Sequence, residues 1–380
     1  MAVFGRRIFL SFEKFAGIPV TLVSLPTSSD SYAPPKLTPF PSWDLHMHDE
    51  NGDCNKIEVA TGLEVDSVGR LWVLDDGGNH CNTKLWIFDL TNKDQTKLIH
   101  HFPFHYNIHD LVLDETPNET LAYIARWGES DIVVFSLERK LSWILSTPGI
   151  EVSSIALSPK NEPRQLYFSK YNSTELYSIP VSALCKGTGT ANPEVIGNWT
   201  ARPYRMLMDN QGTIYAAFRE ENHIHSWNTS QPHQEQYFYK VGKLYTLWPF
   251  CFSLDSSGIF WMFELNKTAA MPRYRLLKAA VGVKSYISDS TTTGGRVAGK
   301  GQTYESALID SLAFLLVLSC FIILWLSLRI RKSKKSNKQR DAGAIEMETL
   351  PLPNSVSQEM VVQGFENVLY SALHRATINT

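Results

Sequence analysis

The chain has 380 residues, so one closed all-β domain could occupy most of its length and leave room for appendages. A formal charge of −2 at pH 7 and a pI near 6.6 provide no basic field, which argues against nucleic acid as a partner. Aromatic residues make up 12% of the chain and recur in short strand-like runs, which favours a β-rich core.

A turn followed by an aromatic strand recurs along the chain. Its strict copies have the form D-x-x-G-x-Φ-aromatic-Φ, in which Asp bonds nearby backbone and Gly accepts a positive φ. Three strict and two looser copies begin at Asp66, Asp114, Ser158, Asp209 and Asp255. The steps of 48, 44, 51 and 46 residues are typical of four-stranded propeller blades. With an earlier strand from Gly17, they predict an all-β, six-bladed β-propeller whose first blade is incomplete; a flat sandwich with regular hairpins is the alternative.

Four cysteines and five glycosylation motifs lie in the first 280 residues. An even number of cysteines suits two disulfides in an oxidising compartment. We predict Cys54–Cys81 and Cys185–Cys251, one of three possible connectivities. We predict N-glycosylation at the Asn-x-Ser/Thr motifs of Asn118, Asn172, Asn198, Asn228 and Asn266.

An uncharged apolar run, SLAFLLVLSCFIILWLSL, occupies residues 311–328 and is long enough to cross a bilayer. Seven Lys and Arg residues follow it within residues 329–340, so the positive-inside rule predicts a cytoplasmic C-terminus and an extracellular propeller at the cell membrane. A buried soluble helix is the alternative. The predicted divisions are a propeller at 1–280, a juxtamembrane linker at 281–306, a transmembrane α-helix at 307–330 and a disordered cytoplasmic tail at 331–380.

The N-terminal residues offer at most a five-residue apolar stretch, too short for the core of a signal peptide. We interpret this as a missing upstream segment. Because propellers commonly close when a strand from one terminus completes the blade of the other, we expect an open ring after Tyr274. An open ring predicts that the chain as written folds poorly when secreted.

Several ordered motifs across residues 7–278 resemble the yellow/major royal jelly family. The most specific are PKLTPFPSW at 35–43, DSVGRLWVLDDG at 66–77, KLWIFDL at 84–90 and IALSP at 155–159. Val68 and Ser226 stand where the family usually has cysteines, so its disulfide pairing is not carried over. The family is mostly secreted and soluble, so the apolar helix is an addition.

The resemblance implies a small biogenic amine or a catechol derivative as ligand, bound in the axial cavity. Such a pocket needs an acceptor for the ammonium and an aromatic wall. Candidate acceptors are Asp75, Asp76, Asp110 and Glu264, and candidate wall residues are Trp127, Phe218 and Trp248. The alternatives are turn capping for the Asp75 and Asp76 pair and blade packing for the tryptophans.

No catalytic signature accompanies these candidates. The sequence lacks G-x-S-x-G, H-E-x-x-H and a phosphate-binding glycine loop, and no cofactor is predicted. His105 and His109 are four residues apart, a spacing that brings two imidazole rings to one metal ion on a helix but not on a strand or loop. We therefore predict no metal site. We therefore expect a membrane-tethered binding propeller rather than an enzyme. The alternatives are a dopachrome-type isomerase of pigment chemistry and a structural or adhesive ectodomain without a small ligand.

Overall fold

Six β-sheets follow one another along the chain as the blades of a propeller, and their strands are antiparallel except for one short parallel pair in the third sheet. The computed structural model describes residues 1–12, 20–28, 37–46, 53–78, 80–160, 163–218, 221–240, 247–266 and 273–288. The predicted all-β, six-bladed class is confirmed.

The first three blades hold strands β1 to β12. Blade 1 contains β1 (Ala2–Phe4), β2 (Arg7–Ser11), β3 (Leu22–Pro26) and β4 (Thr38–Pro39), and a 3₁₀ turn follows at Trp43–Leu45. Blade 2 contains β5 (Ala60–Val65), β6 (Arg70–Asp75), β7 (Lys84–Asp89) and β8 (Gln95–His101). Blade 3 contains β9 (Ile108–Glu115), β10 (Thr120–Arg126), β11 (Asp131–Ser136) and β12 (Leu141–Ser146), joined at its edge by β16 (Gly189–Thr190).

The last three blades hold the remaining strands. Blade 4 contains β13 (Val152–Leu157), β14 (Gln165–Lys170), β15 (Glu175–Pro180) and β17 (Glu194–Asn198), with the short helix α1 (Val181–Leu184) between the last two. Blade 5 contains β18 (Pro203–Met208), β19 (Thr213–Phe218), β20 (His223–Asn228) and β21 (Gln236–Lys240). Blade 6 contains β22 (Leu247–Leu254), β23 (Ile259–Asn266) and β24 (Arg273–Ala280).

The first strand of each blade lies at the propeller axis. Neighbouring inner strands contact one another around the ring, and β22 of blade 6 contacts β1 of blade 1. Side chains of β2 and its flank pack against β23, with Phe12 and Phe263 ring centroids 6.4 Å apart. The described residues thus bring the first and last blades together through an apolar interface.

The prediction of an incomplete first blade was wrong. Ala2–Phe4 forms a strand that pairs with β2, with Phe4 opposite Arg7. The intervening tight turn is permitted by Gly5, whose φ is +58°. Within the described ranges it is blade 6 that has three strands, and the expected effect on secretion stays a prediction.

The repeated turn has the same role in blades 2, 5 and 6. Asp66 Oδ1 accepts bonds from the backbone of Val68 and Arg70, and Gly69 adopts a φ of +84°. The second oxygen of the same carboxylate accepts a bond of 2.9 Å from the indole of Trp72. Asp209 with Tyr215 and Asp255 with Trp261 repeat the arrangement at 2.9 and 2.8 Å. The repeated six-residue spacing of the motif therefore joins a hairpin turn to the buried aromatic of the next strand.

Of the two predicted disulfides, Cys54–Cys81 is present. The Cys185–Cys251 prediction was wrong, because the two thiols lie on different parts of the fold and both are unbonded. Cys185 follows α1 on the surface, where its sulfur is 3.8 Å from the Tyr123 hydroxyl. Cys251 lies in β22 and packs among the side chains between blades 1 and 6.

The predicted membrane segment cannot be placed. Residues 307–330 lie outside the described ranges. Inside those ranges, no helix combines the length and the apolar character needed to cross a membrane.

Candidate functional site

One face of the propeller gathers the sequence-predicted residues. In each blade the inner strand begins, and the second strand ends, at this face, which we call the entry face. Asp75 ends β6 and Asp76 follows it, Trp127 follows β10, and Asp110 lies near the start of β9. The antiparallel register therefore explains why candidates from distant parts of the chain share one side of the molecule.

The entry-face pocket lies among blades 3, 4 and 5. Its volume is about 190 Å³, and its lining consists of Trp127, Ser153, Tyr171, Asn172, Arg202, Pro203 and Tyr204. Trp127 is edge-on to both tyrosines, with centroid distances of 5.7 Å to Tyr171 and 6.1 Å to Tyr204. Three aromatic rings thus provide a wall of the kind that small aromatic ligands require.

A positive charge lies at the rim of this pocket. The Arg202 guanidinium is exposed and donates a hydrogen bond to Oδ1 of Asn172. The described residues that line the pocket include no carboxylate. The electrostatics therefore favour a neutral or anionic ligand over an ammonium.

His109 stands directly behind the aromatic wall. Its ring stacks on Trp127 at a centroid distance of 4.8 Å and meets Tyr204 edge-on at 5.8 Å. Burial lowers the pKa of His109, so its imidazole is neutral near pH 7. Its Nε2 atom is buried and has no hydrogen-bond partner. A neutral imidazole with an unused nitrogen beside a pocket can accept a proton.

The axial cavity is much smaller. Its volume is about 30 Å³, enough for roughly one water molecule. Glu64, Asp110 and Arg205 contribute its charged lining. Burial raises the pKa of Glu64 to about 7. As the described residues line it, this cavity is too small for an aromatic amine.

Asp75 belongs to a structural network. Its carboxylate accepts bonds from the backbone of Val59 and Gly77 and from the Trp86 indole, at 2.9, 3.1 and 3.1 Å. Lys84 lies 3.3 Å from it in a buried ion pair. These contacts occupy both of its oxygens and fix the turn after β6.

Asp76 and Asp110 are connected through the start of β9. Asp76 accepts a 2.9 Å bond from the Ile108 amide, at the start of the same strand that carries Asp110. Burial raises the pKa of Asp76 to about 6. Asp110 is paired with Arg205 at 2.7 Å, so its charge is already balanced. Neither carboxylate lines the entry-face pocket.

The other described candidates lie outside the entry-face pocket. Phe218 is buried at the end of β19, where it contacts Trp199 and two histidines of β20. Glu264 is buried in blade 6 and accepts a 2.9 Å bond from the Tyr239 hydroxyl. The Trp248 side chain lies outside the described residues.

The sequence reading missed Tyr171, Tyr204 and Arg202. Tyr171 follows β14 as Trp127 follows β10, and it comes 44 residues later, one blade repeat along the chain. The blade repeat, used to align Trp127 with the residue 44 positions later, would have identified Tyr171. Arg202 and Tyr204 lie at the entry to β18, whose sequence carries no such signal.

Four of the five predicted glycosylation sites have described side chains. Asn118, Asn172, Asn198 and Asn228 are exposed, which glycan attachment requires. The Asn266 side chain lies outside the description. In the part of the chain that the structure describes, no group of three or more His, Cys, Asp or Glu side chains is arranged around a metal position.

Comparisons with known proteins identify the family. The family model described as Major royal jelly protein matches residues 59–154 and 146–246. This chain belongs to the yellow/major royal jelly family. Protein yellow of Drosophila yakuba is 25% identical over 281 residues, covering 62% of this chain and 51% of that protein. Protein yellow of Drosophila pseudoobscura pseudoobscura is 35% identical over 104 residues, covering 25% and 18%.

The family members matched are longer proteins: this chain spans about half the length of the curated relatives. Solved structures similar to this chain include a luciferin-regenerating enzyme. The TM-score is 0.47 and the identity 12%, and the match covers 74% of this chain and 89% of that one. A virginiamycin B lyase from Staphylococcus aureus gives a TM-score of 0.42 and 13% identity, covering 68% and 83%.

Proposed function

We propose that this family member is a membrane-tethered, extracellular propeller that binds a small catechol derivative in the entry-face pocket. The observation that carries the proposal is the aromatic wall of Trp127, Tyr171 and Tyr204 around a volume of about 190 Å³. An apolar cavity of about 150 Å³ can hold a benzene ring, so this volume suits one aromatic ring with a short substituent.

The sign of the charge narrows the ligand class. The expected ammonium acceptors, Asp76 and Asp110, are outside the pocket lining, whereas Arg202 is part of it. An Arg guanidinium pairs with carboxylates in a fixed fork geometry and also stacks on aromatic faces. A catechol that carries a carboxylate therefore fits better than one that carries an amine.

The extracellular, tethered location rests on separate support. The Cys54–Cys81 disulfide suits an oxidising compartment, and the described glycosylation motifs are exposed. The apolar run at 311–328 with its basic flank supports the membrane anchor.

Calorimetry with two ligands of opposite charge tests the function. Purified full chain would be titrated with 3,4-dihydroxyphenylacetate and with dopamine, which share the catechol ring. We expect the acid to bind more tightly, and we expect Arg202→Gln to weaken the acid and not dopamine. Trp127→Ala should weaken both. Tyr237→Ala, which removes an exposed ring outside the pocket, is the matched control. The proposal would be refuted if neither ligand gave binding heat, or if Trp127→Ala bound both ligands as tightly as the wild type.

His109 supports a second candidate, a proton-transferring isomerase acting on an oxidised catechol such as dopachrome. Its neutral imidazole and unpartnered Nε2 lie against two residues of the pocket wall. A general base of this kind contributes roughly 10²- to 10⁴-fold to a rate. Spectroscopic dopachrome decay, with and without His109→Gln, separates the two: a binder leaves the rate unchanged, whereas an enzyme loses turnover in the variant.

A further inference from the structure

A second cavity, on blade 5, contains two histidines and two glutamates. We call it the histidine cavity; it is lined by Thr200, Ala201, Glu221, His223, His225, Glu235 and Tyr237, and its volume is about 350 Å³. None of these residues lines the entry-face pocket.

His225 has one nitrogen fixed and one unused. Its Nδ1 is bonded to a carboxylate oxygen of Glu235, which can only accept, so Nδ1 carries the proton in the neutral ring. Nε2 then carries the lone pair, and it is buried without a hydrogen-bond partner. The side chain is 6% exposed. A buried acceptor without a partner destabilises the fold, so the arrangement indicates a ligand for this nitrogen.

Glu235 is itself held rigidly. Besides His225, it accepts bonds from the backbone amide of Thr200 and, at 3.0 Å, from the Thr200 hydroxyl. A fixed carboxylate that orients an imidazole through its other nitrogen is the usual outer partner of a metal-binding histidine. It selects the tautomer and increases the basicity of the coordinating nitrogen.

His223 supplies a second imidazole. It lies two residues before His225 on β20, so both side chains project from the same face of the sheet. The ring centroids are 4.5 Å apart with an interplanar angle of 34°. A carboxylate oxygen of Glu221 lies 3.8 Å from Nδ1 of His223, which is too far for a hydrogen bond.

We propose that His223 and His225 bind a divalent transition-metal ion in the histidine cavity, with Glu235 as the positioning residue for His225. Imidazole ligands suit Zn²⁺ and Cu²⁺ rather than Ca²⁺ or Mg²⁺. With two protein ligands, the remaining coordination positions are taken by water or by an incoming molecule from the open side of the cavity.

Metal titration of the purified full chain tests the proposal. We expect one Zn²⁺ per chain by calorimetry, Cu²⁺ to bind more tightly than Zn²⁺, and no heat with Mg²⁺. His225→Gln and His223→Gln should each lose tenfold or more in affinity, and Glu235→Gln about 10- to 100-fold. His101→Gln, which removes an exposed imidazole on blade 2, should match the wild type.

Electron paramagnetic resonance provides a readout that folding defects in the variants cannot mimic. Cu²⁺ bound to the wild type should show hyperfine coupling to two imidazole nitrogens, and His223→Gln should reduce it to one. A wild-type spectrum without nitrogen coupling, or Zn²⁺ binding that survives in both histidine variants, would overturn the assignment. Neither result depends on a catechol ligand, so this inference and the proposed function fail separately.

Discussion

Asp110 of blade 3 and Arg205 of blade 5 form an ion pair of 2.7 Å that passes the inner strand of blade 4. The Asp110 side chain is 2% exposed and that of Arg205 is 14% exposed. The other Asp110 oxygen lies 3.4 Å from the Ile155 amide of that intervening strand. The Asp110 carboxylate therefore connects three inner strands and stabilises the fold rather than binding a ligand.

Removing one partner of this pair should be strongly destabilising. Asp110→Asn leaves the Arg205 charge buried without its partner, so we expect the free energy of unfolding to fall by about 3 to 5 kcal/mol. Urea denaturation followed by tryptophan fluorescence measures it. The control is Glu119→Gln, which breaks a pair with the half-exposed Arg139 and should cost about 1 kcal/mol or less. Equal losses in the two variants would mean that the Asp110 pair is solvated and does not bridge the blades.

The sequence predicted the blades well because the repeated turn is a local device. Asp66 and Trp72 are six residues apart, so their hydrogen bond is encoded within one hairpin. The turn at Gly5 was missed because β1 has only three residues and carries no repeat of its own.

The candidate sites depend on long-range geometry that no local pattern encodes. His225 of β20 meets Glu235, which directly precedes β21, and the register of these two strands shifts by a bulge between Ile224 and His225. Arg202 reaches the entry-face pocket from a connection between blades 4 and 5. Asp75 and Asp110 were predicted as ligand-binding residues only because they are carboxylates. The sequence does not reveal that Lys84 and Arg205 already balance their charges.

Asp76 should make the stability of the propeller fall as pH rises. Burial raises its pKa from 3.8 to about 6, so the folded state holds the proton more tightly than the unfolded state. The stability gained below pH 4 is therefore lost between about pH 4 and 6. In Asp76→Asn, the free energy of unfolding should change by about 1 to 2 kcal/mol less over this pH range, a figure reduced for the partial exposure of the Asp76 carboxyl.

Thermal unfolding across pH 3.5 to about 7 measures that slope. Asp89→Asn is the matched control of opposite sign, because the Thr91 hydroxyl lowers the pKa of Asp89 and its contribution is lost as pH falls. An Asp76→Asn profile that parallels the wild type would show that the Asp76 carboxyl is hydrated in the folded state.

A glycan on Asn172 should restrict the entry-face pocket. Asn172 both lines the pocket and begins an Asn-x-Thr motif, while its Oδ1 is held by Arg202. Thr174→Ala abolishes the motif and leaves Asn172 in place. In protein from a glycosylating host, we expect this variant to bind 3,4-dihydroxyphenylacetate several-fold more tightly. Ser230→Ala, which abolishes the Asn228 motif on blade 5, should leave the affinity unchanged.

The Cys54–Cys81 disulfide should contribute substantially to stability, whereas Cys185 should not. The bond closes a loop with a sequence separation of 27, which is worth about 3.5 kcal/mol in the chain-entropy account. Cys54→Ser should lower the Tm, and Cys185→Ser should leave it unchanged. Peptide mapping without reduction should recover one disulfide from the propeller, and a Cys185–Cys251 peptide would contradict the structure.

The bond from each turn carboxylate to its aromatic partner should be as important as the turn itself. Asp209 is buried; its Oδ1 accepts the amides of Gln211 and Thr213, and its Oδ2 accepts the Tyr215 hydroxyl. Tyr215→Phe leaves Oδ2 of Asp209 without this hydrogen-bond donor, so the free energy of unfolding should fall by about 1 to 3 kcal/mol.

Asp209→Asn should cost less than Tyr215→Phe, because an amide still accepts from the turn and can donate to the phenol oxygen. Asp209→Ala should cost the most, since it leaves the turn amides and the phenol without their acceptor. Burial raises the pKa of Tyr215, so its phenol should ionise only when the protein unfolds, which ultraviolet titration can follow. Tyr237→Phe, at an exposed position, is the control. If Tyr215→Phe were as stable as this control, the backbone bonds alone would hold the turn, and the aromatic of the motif would serve packing only.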